Sequence, residues 1–418
     1  MNFILSEKAE KPYLVTLRFY NLVFFSALIP YFNFLPFIPS EILGFKWSGW
    51  AWLFMLFVSI GYLFKLKKNG FPVIIWLPFI IYTLIWAIVD KTFVGFRFFI
   101  QPVIPIIVGL IASSLTYNTA TLNILYKMFK RFFWFLIILV FIFPLIRYGQ
   151  FSTYLVPGSA ALVMTLTMFT IIFLSIYFSF FNLKFLLLYI GMLLTAFILV
   201  TRTAILINII ILPFHFLNNK LISRIFTAFS GVVVALLIFY SEPIQNKMFY
   251  EGGGSFSDIS YDNPNFNTSG RKTNRTIIEV GLAENPLWGN GPRADLDLYT
   301  YFNLKPTILH DDYSLIRYCF GWFGLALYIG AFAVQFIILY RKKKAYRTKY
   351  SRIIWGTALT LYIPYFIFMN TDNIFLYGPW YGYFFFAFIG MVHSLSSNPN
   401  KEREILPGRT TVLKQISE

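Results

Sequence analysis

Cysteine is almost missing. Cys319 is the only one in 418 residues, which excludes an internal disulfide and any cysteine-based metal cage. Charge is scarce as well: 13% of residues are charged, against about a quarter in a soluble globular chain. Acids are the scarcer sign, 18 Asp and Glu against 35 Lys and Arg. There is no phosphate-binding glycine loop, no zinc-binding helix motif, no serine nucleophile elbow and no dinucleotide glycine fingerprint. Nothing in the chain therefore points to a P-loop NTPase, a zincin, an α/β-hydrolase or a dinucleotide-binding dehydrogenase. Internal repeats and low-complexity tracts are absent too.

What fills the chain is apolar. Hydrophobic residues make up 58% of it and the mean hydropathy is +0.65. Runs of about 17–25 such residues recur from end to end, each long enough to cross a hydrocarbon core of ~30 Å. The pattern predicts an all-α polytopic membrane protein of about twelve spans. They fall near 14–37, 47–64, 71–89, 97–116, 131–147, 160–180, 184–201, 203–217, 222–240, 313–340, 353–370 and 375–393. The first run lacks a small-residue cleavage site and reads as a retained helix. Spans containing Pro102, Pro105, Pro213 and Pro364 are expected to kink where neighbours satisfy the freed carbonyls.

The formal charge of +17 invites a nucleic-acid partner, but its placement argues otherwise. Basic clusters fall on alternate loops: Lys65, Lys67 and Lys68; Lys127, Lys130 and Arg131; Lys220 and Arg224; Arg341 to Lys344 with Arg347, Lys349 and Arg352; and the tail from Lys401. This is the positive-inside pattern, and it puts both termini in the cytoplasm. The excess charge is thus a topology signal and a grip on anionic headgroups. The organisation that follows is nine spans over 1–240, one large extracytoplasmic loop at 241–312, three spans over 313–393, and a cytoplasmic tail at 394–418.

The large loop is where polar chemistry gathers. Its first part, EGGGSFSDISYDNPNFNTSG, reads as mobile loop. Thr268 or Ser269 can cap a helix over 271–283, which Asn285-Pro286 would end. On it Arg271 and Arg275 share a face, a pair of guanidiniums matched to phosphate oxygens. Arg275 has a second reading, an ordinary surface pair with Glu279. Arg202, in LVTRTAIL, stands between two apolar spans with almost no loop to hold it. A cation at membrane depth is costly and normally faces a polar cavity or a partner, though snorkelling at span ends is common. Arg97 in GFRFFIQP and Arg147 in PLIRYGQF divide evenly between headgroup contact and site lining. His310 precedes Asp311 and Asp312; an imidazole can take a proton from a hydroxyl, and a neighbouring carboxylate can fix its tautomer. Asp295-Leu-Asp297 has the look of a metal-holding acid pair, but two carboxylates make a poor site.

TRTAIL at 201–206, then SGR at 269–271, ENPLWGNG at 284–291, and HDDYSLIRYCFGWFG at 310–324, resemble the bacterial O-antigen ligase and Wzy-type O-antigen polymerase superfamily. The likeness covers about residues 195–330. The family commonly has asparagine after the histidine, where this chain has Asp311. The resemblance implies glycosyl transfer at the outer face of the bacterial cytoplasmic membrane, from an undecaprenyl-pyrophosphate-linked glycan to a glycan acceptor. It also implies that neither metal nor cofactor is needed. By position, Arg202 and Arg271 would bind the pyrophosphate and His310 would deprotonate or orient the acceptor hydroxyl. Arg275, Arg97, Arg147 and Asp311, on the same side of the membrane by the charge pattern, are candidates to bind the substrate beside them. A polysaccharide chain-length regulator is a candidate partner; nucleic acid is not. Polymerisation of surface-polysaccharide repeat units is the leading expectation. The alternatives are a ligase moving polymer onto lipid A-core and, further off, a secondary transporter of anionic solutes. Charges gathered at one face and unlike halves count against transport.

Overall fold

The structure, a computed structural model, describes residues 7–35, 37–64, 66, 70–148, 159–268, 271–302, 311–346 and 348–396. It is helical nearly throughout, with one two-stranded hairpin (β1, Glu41–Ile42; β2, Phe45–Lys46) among the described residues. The α-helices α1 to α9 are Glu7–Leu28, Trp47–Leu63, Leu77–Asp90, Phe93–Ser114, Thr119–Tyr148, Ser159–Phe180, Leu183–Ile198, Arg202–Phe214 and Leu221–Phe239. The loop that follows holds α10 (Glu242–Met248), α11 (Arg271–Leu282) and α12 (Ala294–Tyr301). The chain returns to the bundle with α13 (Asp312–Arg341), α14 (Lys349–Thr360), α15 (Tyr362–Thr371) and α16 (Gly382–Ser396).

Among the described residues, six helical stretches are long and apolar enough to cross a membrane, and five more apolar helices are shorter. These are the marks of an all-α, multi-pass membrane protein. Helix α9 turns Ile222, Phe226, Phe229 and Leu237 outward, each more than half exposed, a surface suited to lipid and not to water.

Where helices meet closely, small residues allow it. A Cβ on Gly390 of α16 would stand 2.2 Å from the Gly109 carbonyl of α4, so the two backbones touch. Rings fill the centre. Phe332 lies among Trp76, Tyr365 and Phe385, with centroids 4.8–5.7 Å apart, which gives aromatic packing in place of the polar contacts the sequence cannot supply. Pro102, Pro105 and Pro213 stay inside their helices, whereas just ahead of Pro364 one helix gives way to the next. The helix divides at Leu361, whose carbonyl accepts from the Tyr381 hydroxyl at 2.9 Å.

Two expectations change. The span expected over 313–340 is not one helix: Gly321, at φ 68° and ψ −177°, interrupts α13. The stretch expected to be mobile, 251–270, is tied internally as far as it is described. Ser255 and Asp258 form a capping box, Phe249 bridges Phe266, and the Asn265 carboxamide accepts from Glu251 N and donates to Gly253 O. Its asparagines and serines supply the partners that a sheet would otherwise supply. Lys65, Lys67, Lys68, Ser269, Arg347 and the tail from Lys401 lie outside the described residues.

Candidate functional site

The Gly321 break decides where the loop sits. An interrupted helix frees carbonyls before the gap and amides after it, and at membrane depth each must find a partner. The segment 286–291, PLWGNG, provides them. Asn290 N donates to Tyr318 O and Gly291 N to Cys319 O, while Trp322 N and Phe323 N donate to Pro286 O and Leu287 O, all at 2.9–3.1 Å. The Tyr82 hydroxyl of α3 closes the set, lying 2.7 Å from Trp288 O and 3.0 Å from Phe320 O. Only glycine fits here. A Cβ on Gly321 would stand 2.1 Å from Leu287 O, and one on Gly289, at φ 87°, would stand 2.5 Å from Cys319 O. The P-x-x-G-x-G element of the sequence is thus a latch that pins the loop to α13.

The latch lays α11 along the first turns of α13. Glu279 pairs with Arg317, and Arg317 lies over the Trp322 ring at 5.1 Å. Arg275 does not take Glu279, the surface partner its spacing offered. Its Nη2 donates to Asp311 Oδ2 at 3.3 Å, and its guanidinium stands 5.3 Å from the centre of Tyr261. Asp311 meanwhile caps α13: Oδ1 accepts from Tyr313 N and Ser314 N, and Oδ2 from the Ser314 hydroxyl at 2.6 Å. One carboxylate thus fixes both the start of α13 and the middle of α11, beside position 310. Asp312 is wholly buried and accepts from Phe375 N at 2.8 Å, which holds the turn between α15 and α16.

Arg202 opens α8. Val200 before it has φ +49°, a left-handed conformation that a β-branched residue adopts at a cost of about 1–3 kcal/mol. The turn so formed lets α8 follow α7 with no loop, and Arg202 Nη1 donates to Asn267 O at 3.2 Å, just before α11 opens at Arg271. Arg202, the start of α11, Arg275 and Asp311 thereby lie at one end of the bundle. Arg271 and Arg147 have described backbone, in α11 and α5, but their side chains lie outside the described residues; His310 lies outside altogether. Among the described residues no hydrogen bond or ion pair ties Arg97, in the first turns of α4, to this group.

Asp295 and Asp297 do not act together. Asp295 is fully buried, and Arg293 grips it at 2.9 and 3.1 Å from Nε and Nη2. Burial pushes its carboxyl up and the guanidinium beside it pulls the other way. Asp297 is exposed. Among the described residues no three His, Cys, Asp or Glu side chains converge as metal ligands would. The Arg293–Asp295 pair, the Arg317–Glu279 pair and Tyr82 carry no distinguishing pattern in the sequence; only the P-x-x-G-x-G spacing hinted that the backbone passes something closely here.

No protein-family model matches the chain, and a search of curated proteins finds no match either.

Proposed function

We propose that the chain is a glycosyltransferase of the outer face of the bacterial cytoplasmic membrane, joining undecaprenyl-pyrophosphate-linked repeat units into a surface polysaccharide. Twelve spans with both termini inside put the loop at 241–312 on the outer side, where such donors are presented. The acceptor hydroxyl attacks the anomeric carbon of the donor. A new C–O bond forms as the bond to pyrophosphate breaks, and the pyrophosphate leaves with the electron pair. Arg202 and Arg271 hold that diphosphate and offset its growing charge, and His310 receives the hydroxyl proton. Pyrophosphate is already a good leaving group, so fixed positive charge, a base and alignment suffice.

The observation that carries this reading is the placement of α11. Its opening stands beside Arg202 through Asn267, and its Arg275 reaches Asp311, next to His310. Arg202 and Asp311, the described positions on either side, are therefore both tied to α11 or to the residues just before it, which supports the reading. Glycolipids extracted from a deletion strain test the reading. Single repeat units on the carrier are expected. Full-length polymer stranded there points to the ligase instead, and an unchanged glycolipid profile removes both.

A further inference from the structure

A cavity lies at the far end of the bundle from Arg202. Helix α7 separates the two places: it starts just after Phe180 and ends just before Arg202. Between α5, α6, α14 and α16 the packing leaves about 90 Å³ unfilled. The lining runs from Ile172 to Phe180 on α6, about 12 Å of helix, and from Tyr350 to Thr357 on α14. Small for its length, the space has the proportions of a single unbranched chain. Apart from Asn123, Thr357 and two tyrosine hydroxyls, its walls are aliphatic and aromatic, and Thr357 spends its hydroxyl on Ser175 Oγ at 2.7 Å. Water finds few partners in such a space, and apolar guests enter it.

The end near Phe180 is different. There Phe180 and Tyr350 are only half-buried as residues, with ring centroids 6.3 Å apart. The Tyr350 hydroxyl itself is buried and has no hydrogen-bond partner among the described residues, a loss that an acceptor on a ligand would make good. Lys349 Nζ stands over the Phe180 ring at 5.0 Å, and Lys220 Nζ over the neighbouring Phe181 ring at 5.9 Å. Two ammonium groups thus gather at this mouth. The four lining helices contain no Asp or Glu, and neither does the whole stretch 91–241. Among the described residues neither lysine forms an ion pair.

We propose that this cavity and its mouth bind one anionic glycerophospholipid of the cytoplasmic leaflet. An acyl chain lies between α5, α6 and α14, its ester carbonyl accepts from the Tyr350 hydroxyl, and the phosphate meets Lys349 and Lys220. The leaflet follows from the basic loops at this end of the helices. Charge and shape together commit the site to this class of lipid. A neutral lipid leaves both lysines unmatched, and a phosphate without a chain leaves the cavity unfilled. The site stands whether or not the transferase reading does.

The test uses the purified full-length protein in detergent, following its thermal midpoint as phosphatidylglycerol, phosphatidylcholine or glycerol phosphate is added. Phosphatidylglycerol is expected to raise the midpoint at about fivefold lower concentration than phosphatidylcholine, the effect of one lysine near an anionic headgroup. Glycerol phosphate, a headgroup without chains, is expected to leave it unchanged. Ile353→Phe fills the cavity from α14 and is expected to weaken the response to phosphatidylglycerol about tenfold, the loss of about two buried methylenes. Lys349→Gln is expected to bring phosphatidylglycerol down to the level of phosphatidylcholine. Lys349 is exposed, so this variant reads the site even if Ile353→Phe fails to fold. No response to phosphatidylglycerol, an equal response to the two phospholipids, a response to glycerol phosphate, or a folded variant that responds just as the parent does, overturns the proposal.

Discussion

Replacing Arg202, Arg271 or His310 singly with alanine is expected to abolish long-chain surface polysaccharide while the protein still enters the membrane. The two arginines are asked to stabilise charge that builds on the departing diphosphate, and removing one such fixed donor typically costs about 100- to 1,000-fold in rate. Loss of the base at position 310 falls in a similar range, about 100- to 10,000-fold. A stepwise polymerisation slowed this much yields no ladder. Arg275→Ala should be milder, because Arg275 is spent on Asp311 and Tyr261 and supports the site through them. Electrophoresis of extracted polysaccharide beside a membrane immunoblot reads both quantities. Normal ladders in all three variants would discard the assignment.

Gly321→Ala is expected to be the most damaging single methyl in the chain. The glycine's backbone lies where other residues hardly go, and the added carbon would meet Leu287 O at 2.1 Å. The clash falls on backbone, so no rotamer relieves it. Separating the latch from α13 would also leave the amides and carbonyls of both segments without partners in lipid. Backbone strain of about 1–3 kcal/mol, together with the clash on Leu287 O, is expected to lower the detergent melting midpoint by about 5 °C or more. Gly330→Ala in the same helix is the control. Its Cβ would meet nothing within 4 Å, so that variant should melt at or slightly above the parent. Equal melting of the two variants would show that the latch does not hold the loop.

The helices were largely legible because lipid imposes a simple rule. Long apolar runs separated by basic loops leave few other assignments, and each expected span overlaps helix among the described residues, six of the helical stretches being long and apolar enough to cross. What the sequence hid were places where backbone, not side chain, determines the outcome. The interruption at Gly321 lies inside an unbroken apolar run and is stabilised by a segment distant in sequence, so no local pattern announces it. Helices α10 and α12 were read only as loop, because runs this short carry almost no periodic signal. In the site, Arg202 stood out because a cation beside apolar spans needs a reason, and Arg275 because it shares a helix face with Arg271. The partner of Arg275 did not, since a local choice, Glu279, was available on the same helix and only the packing of α11 on α13 favours Asp311. Arg97 was placed in the same group as Arg202 on sidedness alone, and no hydrogen bond or ion pair among the described residues joins the two.

Reconstitution is the most direct measurement of the central claim. Purified protein in liposomes would be given lipid-linked repeat units isolated from the deletion strain, with the loop at 241–312 facing the donor. The account predicts glycans of two or more units together with free undecaprenyl pyrophosphate, and neither product with His310→Ala. Repeat units left unjoined by folded parent protein, or joined equally well without the imidazole, would contradict it.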